Sequence, residues 1–190
     1  MATGPLPPLN NGIVTESVNG SKPSLNSLGK RLYPAVTDFN ISHDGDWVLA
    51  GTTTQGILGV DIAHVYLPEN MAVDEYINEF SLQASLSAEE IHFLAGQGKQ
   101  RLFDFYRIWT IKEAYVKAIG TGIAAIDLRQ VCVELPLPDS SARVRVHGEL
   151  VPLKFITGVL GDDSNYVYTL ATSRDVNCKF RIVSLGELLA

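Results

Sequence analysis

The chain has 190 residues, 46% of them hydrophobic and 19% charged, with a formal net charge of −6. That length allows one sizeable domain or two small ones, and the acidic balance argues against a sequence-independent nucleic-acid binder, which needs a basic excess to displace counterions. No apolar run reaches bilayer-spanning length, and Met1 to Leu9 carry no basic-then-apolar leader pattern, so a cytosolic protein with no membrane partner is expected.

Residues 1–30 are rich in Pro, Gly, Ser and Asn and are expected to be loosely ordered, with one short ordered patch near Lys22-Pro23. Residues 31–190 are expected to form the domain. From Thr37 the pattern turns to short β-rich runs, DFNIS, WVLAGT and ILGVDIAHVYL. Between the first two lies His43-Asp44-Gly45-Asp46, whose Asp-Gly pair tolerates positive φ and signals a hairpin. Ser42 and His43 should therefore sit where a strand meets a turn. Tyr76, Ile77 and Phe80 have helical spacing and read as core. Ser87 and Glu90 read as a capping box that starts a helix over about Ala88 to Leu94. Gly96 and Gly98 break it. A longer helix follows from about Lys99 to Ile119, ended by Gly120 and Gly122.

After Ile123 the chain returns to strands: VCVEL, ARVRVHG, LKFITGV, YVYTLATS and FRIVSL, with GDDSN and SRDVN as turns between the last three. The class is α+β, an antiparallel sheet packed against one long helix. Cys132 and Cys178 stand apart and are expected as small buried apolar residues. The four histidines (His43, His64, His92, His147) lack the paired spacing of a zinc centre.

Two features carry chemistry. Asp61 lies in the otherwise apolar run Ile57 to Ala63, where it either points outward from an edge strand or needs a cation, a metal or a hydrogen-bonded cap. On the long helix, at ~100° per residue, Trp109, Lys112, Glu113, Val116 and Lys117 share an arc opposite Ile111, Ala114, Tyr115, Ala118 and Ile119. That arc is either a solvated face with one Glu113–Lys117 pair or a cluster of two ammonium groups around a carboxylate. Combined, Asp61 and Glu113 could offer hard oxygen ligands to Mg²⁺. Lys112 and Lys117 could hold phosphate, the combination that phosphoryl transfer demands.

The motifs Phe39-Asn40-Ile41-Ser42-His43, Trp47-Val48, Gly59-Val60-Asp61 and Trp109-Thr110-Ile111-Lys112-Glu113-Ala114-Tyr115-Val116-Lys117-Ala118-Ile119-Gly120, in that order, resemble those of Sfp-type 4′-phosphopantetheinyl transferases. Gly20-Ser21-Lys22-Pro23 resembles an earlier motif of that family. The resemblance implies the family's fold, mostly the C-terminal half of its pseudo-dimer. It also implies Mg²⁺-dependent transfer of phosphopantetheine from coenzyme A to a carrier-protein serine, releasing adenosine 3′,5′-bisphosphate. Asp61 and Glu113 would bind Mg²⁺, and Glu113 would also take the serine proton. Lys112 and Lys117 would contact phosphates. Ser42 and His43 would line the 3′-phosphate site, and Lys22 would lie near the adenosine end. For His43 a plain turn residue is the alternative, and for Lys22 a solvated loop charge.

The chain departs from the family pattern in two places. Many members carry a second carboxylate two residues after the metal-binding aspartate, where this chain has Ala63. Only about forty residues precede the Phe39 motif, so most of the N-terminal half has no counterpart. A single half would expose the surface that meets its twin, and either instability of the lone chain or self-association is expected. The same departure leaves a second functional expectation: a non-catalytic module that binds a carrier protein or coenzyme A. Carrier recognition is expected over about Tyr66 to Leu94, by analogy with the family.

Overall fold

A computed structural model describes residues 11–16, 24–25, 31–32, 38–82, 85–136, 140–160, 165–173 and 179–184. The expected patch at Lys22, most of the two expected late turns, and Cys178 lie outside the described residues. The strands are β1 (Asn11–Glu16), β2 (Ser24–Leu25), β3 (Arg31–Leu32), β4 (Asp38–Asp44), β5 (Trp47–Thr53) and β6 (Leu58–His64). Three helices follow, α1 (Val73–Leu82), α2 (Ala88–Ala95) and α3 (Arg101–Ile119). The chain then continues through β7 (Val131–Val133), β8 (Ser141–Ala142), β9 (Val144–Val146), β10 (Glu149–Leu150), β11 (Leu153–Leu160), β12 (Tyr166–Ser173) and β13 (Lys179–Ser184).

Local chemistry sets several of these boundaries. Ser87 Oγ accepts from Glu90 N and Glu90 Oε2 accepts from Ser87 N, so the capping box that starts α2 is complete. Gly120 closes α3 in the left-handed conformation, φ 70°, and its N–H returns to the carbonyls of Val116 and Lys117. The β4–β5 hairpin turns at Gly45-Asp46, with Gly45 at φ 51°.

The sheet beneath α3 has the order β6-β12-β11-β8 and is antiparallel throughout. Both faces of β6 and β12 are covered. Odd-numbered Ala63, Val167 and Ala171 join the α3 core with Phe105, Ile108, Ile111 and Ala114. Even-numbered Leu58, Val60, Ile62, Tyr166 and Leu170 form a smaller core with Trp47 and Leu49 of β5. A near-continuous apolar run such as β6 is what a strand buried on two sides requires. β5 belongs to a second sheet, β13-β1-β5-β4, in which β1 runs parallel to β5 and antiparallel to β13. Asn11–Glu16 thus forms a strand within the stretch expected to be loose. Its partners lie at Trp47–Thr52 and Lys179–Ser184, too distant in sequence for local turn signals to reveal.

The two sheets meet through side chains. β6 pairs with β12 on one edge, so its alternate N–H groups face away from that partner and need acceptors. β4 supplies them at a constant offset of twenty residues. Leu58 N donates to Asp38 Oδ2 (2.9 Å) and Val60 N to Asn40 Oδ1 (3.1 Å). Ile62 N donates to Ser42 Oγ (3.4 Å) and His64 N to Asp44 Oδ2 (2.7 Å). The polar alternation Asp38, Asn40, Ser42, Asp44 is therefore a row of caps for the β6 edge. The intervening Phe39, Ile41 and His43 are exposed. Cys132 is half-buried rather than buried, and its Sγ donates to the Arg129 carbonyl oxygen (3.3 Å). Among the described residues no helix is long and apolar enough to cross a membrane.

Candidate active site

Asp61 lies on the α3-facing side of β6, 5% exposed, which excludes an outward-pointing carboxylate on an open edge. Its Oδ1 accepts from Ser42 Oγ (2.8 Å) and from Lys117 Nζ (2.6 Å), and Lys117 Nζ also donates to Ser42 Oγ (3.0 Å). Burial pushes the Asp61 carboxyl up, Lys117 and the Ser42 hydrogen bond pull it down, and the Asp44 charge pushes it up again.

Glu113 is 6% exposed, and its Oε1 is buried without a hydrogen-bond partner. Burial, and then the charge of Asp61, push its carboxyl up to about 7, against the pull of Lys117. An orphaned buried carboxylate oxygen beside a second acid is costly unless a cation reaches both. Glu113 and Asp61 are the residues that could hold one. Among the described residues no three acidic, histidine or cysteine side chains gather as metal ligands, so these acids would supply two ligands and leave the rest of a hard-cation shell to water or phosphate oxygens.

Asp61, Glu113 and Lys117 open onto a cavity of about 500 Å³, with Ser42, His43 and Asp44 on its β4 side and Tyr76, Tyr106 and Trp109 as an aromatic wall. Trp109, Glu113 and Lys117 form one i, i+4, i+8 row of α3. The Tyr76 and Tyr106 hydroxyls are 2.8 Å apart, and Tyr106 donates to the Tyr66 carbonyl oxygen (2.8 Å). Burial and the Tyr76 hydroxyl hold Tyr106 well above the usual phenol range, so it serves as a neutral hydrogen-bonding group rather than a base.

Lys112 requires a correction, because it does not face this cavity. Its side chain is fully buried, and Nζ donates to Glu90 Oε2 (2.6 Å), Ser85 O (2.9 Å) and Leu128 O (2.9 Å). All three ammonium donors are used, so none remains for a phosphate. The helical arc placed Lys112 with Glu113, but it sits ~60° outside the Trp109–Glu113–Lys117 row, and its partner Glu90 belongs to α2. Ser42 is likewise committed inward: its hydroxyl orients Asp61 and Lys117 and caps Ile62 N, while His43 beside it is exposed at the cavity mouth. Asp44, read from sequence only as a turn residue, proves to be a third carboxylate at the rim. The period-2 polarity of β4 was the signal for it.

A family profile described as "4'-phosphopantetheinyl transferase superfamily" matches residues 57–171. The chain belongs to this superfamily. The match includes Asp61, Glu113 and Lys117, and β4 with Ser42 and His43 lies outside it. Three curated members are similar to it. The L-aminoadipate-semialdehyde dehydrogenase-phosphopantetheinyl transferase of Xenopus laevis is 31% identical over 113 residues, 58% of this chain and 36% of that one. A phosphopantetheinyl transferase of Thraustochytrium sp. is 35% identical over 97 residues, 47% and 33%. The 4'-phosphopantetheinyl transferase gsp of Aneurinibacillus migulanus is 29% identical over 98 residues, 52% and 38%. This superfamily member spans about a third of the length of the curated relatives it matches. A solved structure, the holo-[acyl-carrier-protein] synthase of Thermotoga maritima, overlaps 61% of each chain at 20% identity and a TM-score of 0.42. The family read from the four ordered motifs is thus the family found.

Proposed function

We propose that this chain carries the catalytic acids of a transferase that moves 4′-phosphopantetheine from coenzyme A to a serine of a carrier protein, Mg²⁺-dependent and releasing adenosine 3′,5′-bisphosphate. One observation carries this reading: a buried acid pair, one oxygen of it orphaned, faces a cavity beside the Lys117 ammonium. Asp61 and Glu113 would hold Mg²⁺. When bound, the ion would neutralise negative charge on the diphosphate. Lys117 would meet a phosphate oxygen, and His43 at the cavity mouth would face the 3′-phosphate. Ser42 would act through Asp61 and Lys117, as a positioning residue. Glu113, half-ionised near neutrality, suits acceptance of the serine proton.

The test is the mass of an apo carrier protein incubated with this chain, coenzyme A and Mg²⁺. A phosphopantetheine adduct is expected, its rate falling at least about 100-fold in Glu113→Ala. Glu113 accepts a proton only when ionised. Its carboxyl is raised to about 7 in the ion-free site, so lowering the pH protonates it and slows transfer, approaching about tenfold per unit on the acid limb. An ion on the acid pair moves that inflection lower. A Glu113→Ala variant with undiminished rate overturns the assignment.

The second reading, a non-catalytic module that binds coenzyme A or a carrier protein, draws on the Lys117–Asp61 ion pair, which already occupies one of the two acids proposed for the ion. Calorimetric binding of either, with no mass change, selects it. Self-association also belongs here. Phe39 (67% exposed) and Ile41 (54%) share one face of β4, with Ile41 reaching the cavity rim, an apolar surface suited to a second copy. Sedimentation velocity is expected to show a concentration-dependent oligomer that Phe39→Asp/Ile41→Asp dissolves. A monomer at every concentration contradicts it.

A further inference from the structure

Ser42, Asp61 and Lys117 form a closed triangle. Lys117 Nζ donates to Asp61 Oδ1 and to Ser42 Oγ, and Ser42 Oγ donates to the same Oδ1. Lys117 is the one lysine or arginine lining the cavity among the described residues. Asp61 therefore already has a counter-ion in contact, whereas Glu113, one turn earlier on the same helix row, feels the Lys117 charge without an ion pair among the described residues and keeps an orphaned oxygen.

A divalent ion shared by the two acids would have to approach the oxygen that the ammonium occupies. Positive charges brought that close in a part-buried site repel one another, and the double charge of the ion doubles the repulsion. The Lys117 side chain is 27% exposed against 8% for Asp61, and it sits on a flexible stem in the last turn of α3. The lysine can move, while the aspartate is fixed in a strand buried on both faces.

We infer that Lys117 and a divalent cation compete for Asp61, so that Lys117 leaves the carboxylate only when the acid pair takes up the ion and then presents its ammonium to the cavity. Lys117 thus weakens ion binding in the absence of a phosphate ligand and makes the phosphate-binding charge available only in the ion-loaded site. The inference rests on the reading of Asp61 and Glu113 as a cation site.

The probe is Mn²⁺ alone, with neither coenzyme A nor carrier protein, its free fraction read by electron paramagnetic resonance on the full chain. Lys117→Met is expected to bind Mn²⁺ about tenfold more tightly than wild type, and Asp61→Asn to lose binding. Equal or weaker binding by Lys117→Met, with wild type binding, overturns the exchange and leaves the cation site standing. No binding by either protein overturns both. An independent readout on the unaltered chain is acetylation of Lys117 by an N-hydroxysuccinimide ester, mapped by peptide mass. Mg²⁺ is expected to raise it several-fold, since an ammonium held in a 2.6 Å ion pair is protected from acylation. Unchanged or diminished labelling under saturating Mg²⁺ overturns the exchange.

Discussion

Lys112→Met will destabilise the protein by about 3–5 kcal/mol in equilibrium urea unfolding. The amine of Lys112 and the carboxylate of Glu90 are both fully buried and 2.6 Å apart. Removing the amine leaves the carboxylate charged in the interior. Burial pulls the Lys112 ammonium down from its ordinary range and Glu90 opposes that pull, so the pair is stable only as a pair. Its hydrogen bonds also join four segments. Lys112 holds the carbonyls of Ser85 and Leu128, and Glu90 accepts from Ser87 N and Val133 N. Glu90→Gln should cost a similar amount. The double variant Lys112→Met/Glu90→Gln should cost less than the sum of the two, because neither charge is then stranded. A Lys112→Met protein of unchanged stability that had lost only coenzyme A binding would restore the phosphate role and sink the structural one.

The same residue shows where sequence reasoning stops. A helical wheel gives the direction in which a side chain leaves the axis, and it placed Glu113 and Lys117 correctly on the row with Trp109. It does not say where a four-carbon stem ends. For Lys112 that depends on a glutamate 22 residues away whose own signature, the capping box, was legible and sufficient to explain it. The helix boundaries, the hairpin and the capping box rest on interactions within a few residues, and for that reason they were readable. Asp61 stands out in the sequence because a carboxylate among apolar neighbours needs a partner, but which partner depends on β4 lying alongside β6. The role of the β4 caps was not legible for the same reason: Asn40 and Ser42 stand in the motif that suggested the family, yet their acceptors serve N–H groups twenty residues later.

Gly59→Val is expected to disable stability and site together. Gly59 sits where α3 crosses β6, and a Cβ built there would overlap the carbonyl oxygen of Ala114 and the amide nitrogen of Ala118. Those atoms belong to the i→i−4 ladder of the helix. They are backbone and cannot turn aside as a side chain would. Either the helix lifts from the sheet or β6 bends. Overpacking of this kind costs about 3 kcal/mol or more, a fall of roughly 6–12 °C in Tm for a chain of this size. Moving α3 by even part of a methyl radius also carries Glu113 and Lys117 away from Asp61, because all three depend on this one close approach of helix to strand. Mn²⁺ affinity should therefore fall in Gly59→Val protein held well below its melting temperature, and Gly59→Ala should show both effects in milder form. This separates the glycine from a loop glycine such as Gly122, which has open space around its Cβ position and whose constraint is its φ of 73°. A Gly59→Val protein that melts with the wild type and binds Mn²⁺ as well would mean that the helix does not set the spacing of the two acids. The glycine of the Gly59-Val60-Asp61 motif would then need another explanation.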